Sequence, residues 1–317
     1  MTSPVISADP KPVLALGVHI LDTLVRPVEA IPAGQAGALV ENIAVTAAGP
    51  AGATALVMSR LGARVRSAGV VGADSTGQFL TTLLERDGVD TGRLVAVPGT
   101  PTSATVLPIR PDGSRPALHL VGTSALLPQH VPWSELTGIG LLHLGGPEFY
   151  GGELAARICE RAREAGALTS ADSLAPADRA TFDWFAAVLP HLDFLLPNDE
   201  QVLGWTGAAD LEDGCRQLVD RGVRAVVATA GAEPTVVATA DGIDRVPTFA
   251  VDVVDTTGCG DSFSAGFLRA VQLGRNLVDA ARFGNAVAAH VAQGLGSDYG
   301  DYDQASIERF VRNEPTR

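Results

Sequence analysis

The chain has 317 residues, 46% of them hydrophobic, and a formal net charge of −13. That length can bury a large core, and acidity with arginines scattered along the chain excludes a nucleic-acid-binding surface. The longest apolar runs, 139–144 and 225–230, fall far short of the roughly 20 residues of a membrane helix.

Residues 1–12 lack the basic start and apolar stretch of a secretory signal and read as a short lead-in. Cys159, Cys215 and Cys259 lie far apart with no metal-ligand spacing, so reduced thiols and a cytoplasmic protein are expected. A first strand is predicted over 13–18, its end running on through Gly17 to Asp22. Residues 24–47 then alternate like strands with no helix between them. Helix 51–61, strand 65–71 and helix 76–86 follow. A second strand-like stretch, 94–121, contains the turn Pro111-Asp112-Gly113-Ser114 between 104–110 and 115–121. Strands 139–145, 167–171, 194–196 and 225–230 then alternate with helices 152–164, 178–189, 198–205 and 212–221. A hairpin at Asp241-Gly242 joins 235–239 to 243–249, and helix 262–273 closes the pattern. This is the rhythm of a parallel sheet covered on both faces, in which ligands bind at the carboxyl ends of the strands.

The most informative run is Asp255-Thr256-Thr257-Gly258-Cys259-Gly260-Asp261-Ser262-Phe263-Ser264-Ala265-Gly266-Phe267. Small residues at 258–260 ahead of a helix aim free backbone N–H groups at one point, where the helix dipole adds to them. Asp261 places a proton acceptor beside that anion site. A glycine-rich turn alone would be an ordinary strand-to-helix connection. A P-loop is excluded, because it needs a lysine after its second glycine and the only lysine is Lys11. A dinucleotide fingerprint fits poorly, since Phe263 stands where the third glycine belongs.

The run resembles the second signature of the ribokinase-like (PfkB) carbohydrate kinase family, with Cys259 in place of the usual alanine. The resemblance extends from Val13 to about Ser297. It implies an α/β ribokinase-like three-layer sandwich with a mostly parallel central sheet and a small β-sheet lid. Residues 1–317 would form a single kinase domain, with lid segments at about 24–47 and 94–121. The implied activity is ATP-dependent transfer of a γ-phosphate to a hydroxyl of a sugar or sugar-like acceptor, with ATP and magnesium (Mg2+) as cofactors. Alternatives are a nucleoside or sugar-phosphate kinase of the same fold, or a catalytically impaired ligand-binding homologue.

Residue by residue, Asp261 becomes the catalytic base and Gly258, Cys259 and Gly260 the anion loop. A thiol at a helix N-terminus would have a lowered pKa, which makes Cys259 a target for alkylation. Asp22 becomes the substrate anchor, or else a turn or cap aspartate. The first signature corresponds to the run from Ala48 through Gly49 and Ala53 to Ala55. There Ala53 replaces an asparagine that commonly touches the acceptor. His143 reads as a core histidine, and Glu148 as a compensating contact. Asn198 keeps its place in the Pro-Asn-x-x-Glu motif, or serves as a helix N-cap; Gln201 replaces the glutamate, leaving Glu200 as the candidate for Mg2+. Thr229, Gly231 and Asn285 correspond to the nucleotide site. Asp255 and Thr257 match positions that hold a monovalent cation in members activated by potassium (K+). A phosphorylated acceptor would need an arginine in its pocket, and Arg26, Arg110 and Arg115 are on or near the lid. In several members the lid also makes a homodimer contact.

Overall fold

The computed structural model describes residues 10–317, so the expected lead-in lies outside the described residues up to residue 9. In chain order the strands and helices are β1 (Val13–Gly17), β2 (Ile20–Arg26), β3 (Asn42–Ala48), α1 (Gly52–Arg60), β4 (Val65–Gly72), α2 (Ser75–Arg86), β5 (Asp90–Val97), β6 (Ala104–Pro108) and β7 (Leu118–Leu120). They continue with β8 (Leu141–Gly145), α3 (Gly152–Glu164), β9 (Leu168–Asp172), α4 (Arg179–Phe185), β10 (Phe194–Leu195), α5 (Asp199–Thr206), α6 (Leu211–Asp220), β11 (Ala225–Ala230), β12 (Glu233–Thr239), β13 (Gly242–Val246), α7 (Cys259–Gln272), α8 (Leu277–Val291) and α9 (Gln304–Asn313).

Nine strands form one sheet in the order β13-β12-β11-β10-β9-β8-β1-β4-β5. It is parallel from β11 to β5, and β12 and β13 add an antiparallel hairpin at one edge. Side chains alternate across a strand, so a strand covered on both faces must be apolar throughout. In β1, Val13 and Ala15 join a core that includes Phe263 of α7 and Phe283 of α8. Leu14 and Leu16 join the opposite core, with Ile158 of α3 and Trp205 of α5. Two helical layers thus sandwich the sheet. His143 is a satisfied core residue, its ring nitrogens bonded to Ser170 Oγ and to the Pro50 carbonyl, both at 3.0 Å.

The sheet order turns back at β1, whose neighbours are β4 and β8. Such a reversal opens a crevice at the carboxyl ends of the strands. Here the strand ends meet without side chains: a Cβ on Gly17 (φ +140°) would lie 1.9 Å from the Gly145 carbonyl oxygen.

The second sheet, β3-β2-β6-β7, is the lid. Two sequence boundaries are corrected. The run 17–22 is no single strand end: β1 stops at Gly17, and Asp22 sits on lid strand β2, which starts at Ile20 rather than 24. Residues 94–97 pair with β4 and belong to the main sheet. Alternation alone cannot distinguish an edge strand from a lid strand. The helix read over 178–189 stops at Phe185 and continues as a 3₁₀ turn containing Pro190, because proline removes the amide a helix would use. No described helix is long and apolar enough to cross a membrane.

Substituting Gly17→Ala should lower the urea unfolding free energy by about 3 kcal/mol, since the methyl would meet backbone that cannot swing aside. An unchanged midpoint would show that the two strand ends part freely.

Candidate active site

Gly258 adopts φ +75°, a left-handed conformation that costs glycine little, and so turns the chain into α7. A Cβ at this position would also lie 3.0 Å from that of Ser297. The turn closes through Cys259 N–H to the Thr256 carbonyl (3.2 Å), and the helix begins with Ser262 N–H to the Gly258 carbonyl (2.9 Å). Among the described residues, the amides of Gly258, Gly260 and Asp261 make no backbone hydrogen bond, so three donors remain for an anion. Close packing against α8 fixes the helix: a Cβ on Gly266 would lie 3.0 Å from the Gly284 Cα. The small residues of 284–289 therefore serve helix packing.

This loop divides two cavities. Thr256, Cys259 and Gly260 face one of about 300 Å3, shared with Thr229, Gly231 and Asn285. Thr257, Gly258 and Asp261 face the other, about 480 Å3, under the lid. Asp22, Thr105, Arg115 and His119 reach this second cavity from the lid, while Gly49, Ala53 and Glu148 line it from below. The Asn285 amide group is already committed, accepting from Thr235 Oγ1 (2.8 Å) and donating to the Pro247 carbonyl (3.1 Å). It ties α8 to the β12–β13 hairpin and shapes the first cavity.

Three carboxylates, Asp22, Glu148 and Asp261, line the otherwise largely apolar second cavity, and Asp172 is buried near Asp261. Burial pushes the Asp261 pKa well above the usual range, the charges of Asp172 and Asp22 push it further, and Arg115 opposes them. Asp172, at the carboxyl end of β9, is raised to about 7, first by burial, although it accepts from Ser264 Oγ (2.9 Å) and the Ser173 amide (2.8 Å). Asp22 is raised to about 6 by burial, against a hydrogen bond to Thr105, and its Oδ1 is buried without a partner. Glu148 is raised by burial and holds Ser173 Oγ and the Leu174 amide, each at 2.8 Å. Asp172 was missed in the sequence; its signal was an acid directly after the strand read over 167–171, where ligands collect.

Behind the loop, Asp255 has a fully buried side chain. Its Oδ1 accepts from Thr257 Oγ1 (3.0 Å) and lies 3.9 Å from Arg115 Nε, while its Oδ2 has no partner. An orphaned buried carboxylate oxygen beside a threonine fits a monovalent cation. Magnesium fits less directly. Asn198 is the N-cap of α5, paired with Gln201 in a capping box, and Glu200 is exposed. Neither lines a cavity, though Asn198 bridges to Thr229 at the edge of the first. No group of three metal-ligating side chains occurs among the described residues. The site therefore suits Mg2+ carried in on phosphates and not a protein cage.

The Cys259 expectation is overturned. Its thiol is pushed up to about 12 by burial and by the charges of Asp255 and Asp261, and it donates to the Ala288 carbonyl (3.6 Å). The helix terminus is outweighed by two acids and a bond that only the protonated form makes.

Comparison with known proteins places this geometry. The family model described as pfkB family carbohydrate kinase matches residues 13–303. The chain is 26% identical over 311 residues to a nucleoside kinase of Methanothermobacter thermautotrophicus, covering 96% of this chain and 97% of the relative. It is 26% identical over 259 residues to a ribokinase of Haemophilus influenzae, covering 78% and 82%. The structure of Arabidopsis thaliana ribokinase complexed with ribose and ATP superposes with a TM-score of 0.82 at 20% identity, covering 96% of this chain and 99% of that one.

Iodoacetamide at pH 8 should modify Cys259 at least about tenfold more slowly than free cysteine, followed by mass spectrometry of quenched samples. Equal rates would mean that the thiolate is stabilised after all.

Proposed function

The chain belongs to the pfkB family of carbohydrate kinases, and we propose that it moves the γ-phosphate of ATP to a hydroxyl of a sugar or sugar-like acceptor. One observation carries this reading: a loop of free amides separates two cavities, with Asp261 on the acceptor side. The nucleotide would lie in the cavity of Thr229, Gly231 and Asn285, its phosphates over Gly258, Cys259 and Gly260. Asp22 has a buried oxygen without a partner, suited to a hydroxyl donor on the acceptor. Asp261 takes the acceptor's proton, and the acceptor oxygen forms the new bond to the γ-phosphorus. The bond to the bridging oxygen breaks, and its electron pair leaves on ADP. Mg2+ would neutralise phosphate charge, with Asn198, which bridges to Thr229 at the edge of the nucleotide cavity, and Glu200 in the first turn of α5 as the candidates to hold it; K+ would sit against Asp255 and Thr257. The chain would act as one kinase unit, and free cysteines suit the reducing cytoplasm.

An acceptor without a phosphate is favoured. Arg26 lines a different cavity, Arg110 is exposed and bonded to Ser114, and Arg115, although it lines the acceptor cavity, reaches Thr256 at the wall toward the nucleotide. A second reading, a nucleoside acceptor, draws on the apolar walls of Ile20, Leu107, Phe149, Leu174 and Pro176, which would cover a flat base. The impaired-homologue reading loses one support. Gln201 donates to the Ser173 (2.8 Å) and Ala175 (3.1 Å) carbonyls, so its replacement of glutamate has a structural cause.

The lid also supports a homodimer. Its inner face carries Asp22, Thr46, Thr105 and His119; by alternation its outer face carries Val45, Thr23, Val106 and Leu118, aligned across all four strands. Val106 is 44% exposed, Leu118 62% and Ile43 60%, an apolar face that a second copy would cover. Light scattering should give twice the chain mass for the wild type and a monomer for Val106→Glu/Leu118→Glu. A monomeric wild type would remove the dimer.

Asp261→Asn should keep ATP binding, measured by calorimetry, and lose acceptor-dependent ADP release by about 10²- to 10⁴-fold in a coupled assay across pentoses, hexoses and nucleosides. Because burial raises the pKa of the base, wild-type turnover should fall as pH drops through that raised value. Normal turnover by the variant would remove Asp261 from the base role.

A further inference from the structure

After β13 the chain crosses to the anion loop, and one wall of the first cavity follows it through Thr248, Phe249, Val251, Val253 and Thr256. The segment after α9 runs antiparallel beside the start of this crossing. The Ala250 amide donates to the Pro315 carbonyl (3.0 Å), Phe249 and Thr316 pair as an isolated bridge, and the Arg317 amide donates to the Thr248 carbonyl (2.9 Å). Both strips are anchored. Phe249 packs edge-on against Phe310 of α9, ring centroids 5.4 Å apart, and Thr248 Oγ1 donates to the Ala232 carbonyl (2.7 Å). Arg317 is thereby set at the exposed rim of the cavity, and it is the only charged side chain among the described residues that line it. Among the described residues its guanidinium has no hydrogen-bond or ion-pair partner.

Resting on the nucleotide placement above, we propose that Arg317 is a nucleotide-binding residue whose guanidinium lies on the face of the ATP base. Its place along the wall selects the base over the phosphates. Arg317 is paired with Thr248, where the crossing begins, whereas the free amides of Gly258 and Gly260 lie past its other end. With the phosphates on those amides, the base falls at the Thr248 end. The surfaces there are small and apolar, among them Ala232, Phe249, Ala288 and Ala289, and the Asn285 amide is already committed to Thr235 and Pro247. Such walls give a flat ring contact area and few polar partners. A planar, weakly hydrated guanidinium can cover the ring's open face, which the compact ammonium of a lysine does poorly. Stacking reads the plane of a purine and not its edge, so the contact adds affinity without choosing between adenine and guanine.

The test is calorimetric titration of MgATP, with no acceptor present, into the wild type, Arg317→Ala, Arg317→Lys, Arg317→Trp and, as a control, Arg309→Ala. Arg309 is exposed on α9 and lines neither cavity. R317A keeps the backbone bond to Thr248 and should raise the Kd about 5- to 30-fold, the scale of a desolvated cation–π contact. R317W, which is flat but uncharged, should bind within about threefold of the wild type. R317K, charged but not flat, should lose nearly as much as R317A, and R309A should be unchanged. An R317A Kd within about twofold of wild type would overturn the role. A lysine variant that binds more tightly than the tryptophan variant would put the guanidinium on phosphate and overturn the base contact. Either result leaves the kinase reading intact, whereas a wild type that binds no ATP would overturn that reading itself.

Discussion

A carboxylate kept from water beside two others has its pKa raised, and Asp261 is in that position. The cost of burying it ionised is what makes it a stronger base than an exposed aspartate. The surrounding arrangement supplies compensation from several directions. The backbone amides of Gly258 and Gly260 beside it have no backbone acceptor, and Arg115 reaches in from the lid. A base of raised pKa is useful only where the proton-bearing hydroxyl and an electrophile meet it, which in the proposed reaction is the wall between the two cavities.

The fold holds that wall still from below and leaves the upper side to a thinner element. Helix α7 enters the core through Phe263 and Phe267 and contacts α8 backbone to backbone at Gly266 and Gly284. Asp172 adds a tie from the sheet, since Ser264 of α7 donates to it. The floor of the site is therefore set by packed helices and strand ends. The lid has a small core of its own, Leu24, Leu107 and Ile109, with Ala44 and Leu295 packed against it. Elements with few buried contacts open more readily, which makes the lid the easier side of the cavity to open.

Much of this was readable before any coordinates, and the pattern of success has a physical reason. The run 258–261, which lines the two cavities, and Thr229 and Gly231, which line the first, lie in contiguous runs whose turn chemistry is local. So do the βα alternation and the hairpin at Asp241-Gly242. Asp172 was not readable as a site residue, because it is an ordinary letter in its own neighbourhood and becomes significant only when distant elements converge; Arg115 was one of three lid arginines that only the fold could tell apart. The lid boundaries slipped for a related reason: strand alternation marks a strand but not the sheet it joins, so the end of β5 (94–97) was assigned to the lid and the start of β2 (20–22) to the first strand. Cys259 failed through competition, the helix dipole being weaker than two nearby acids and loss of bulk water.

The two departures from the family pattern, Ala53 and Gln201, differ in kind. Gln201 is buried with its amide nitrogen against two backbone carbonyls, Ser173 and Ala175, on the chain that leads out of β9. A glutamate there would place acceptor against acceptor and leave both carbonyls without their donor, a cost of about 1–3 kcal/mol for each unsatisfied group. The glutamine thus follows from how residues 173–175 run beside the acceptor cavity, where Leu174 and Ala175 also form the wall. Ala53 has no such local cause: it lines the cavity at the start of α1 and simply presents a methyl where a polar group would grip a hydroxyl. In the proposed function its consequence falls on the acceptor, for which Asp22, Thr105 and His119 are the polar side chains that the lid offers beside apolar surface.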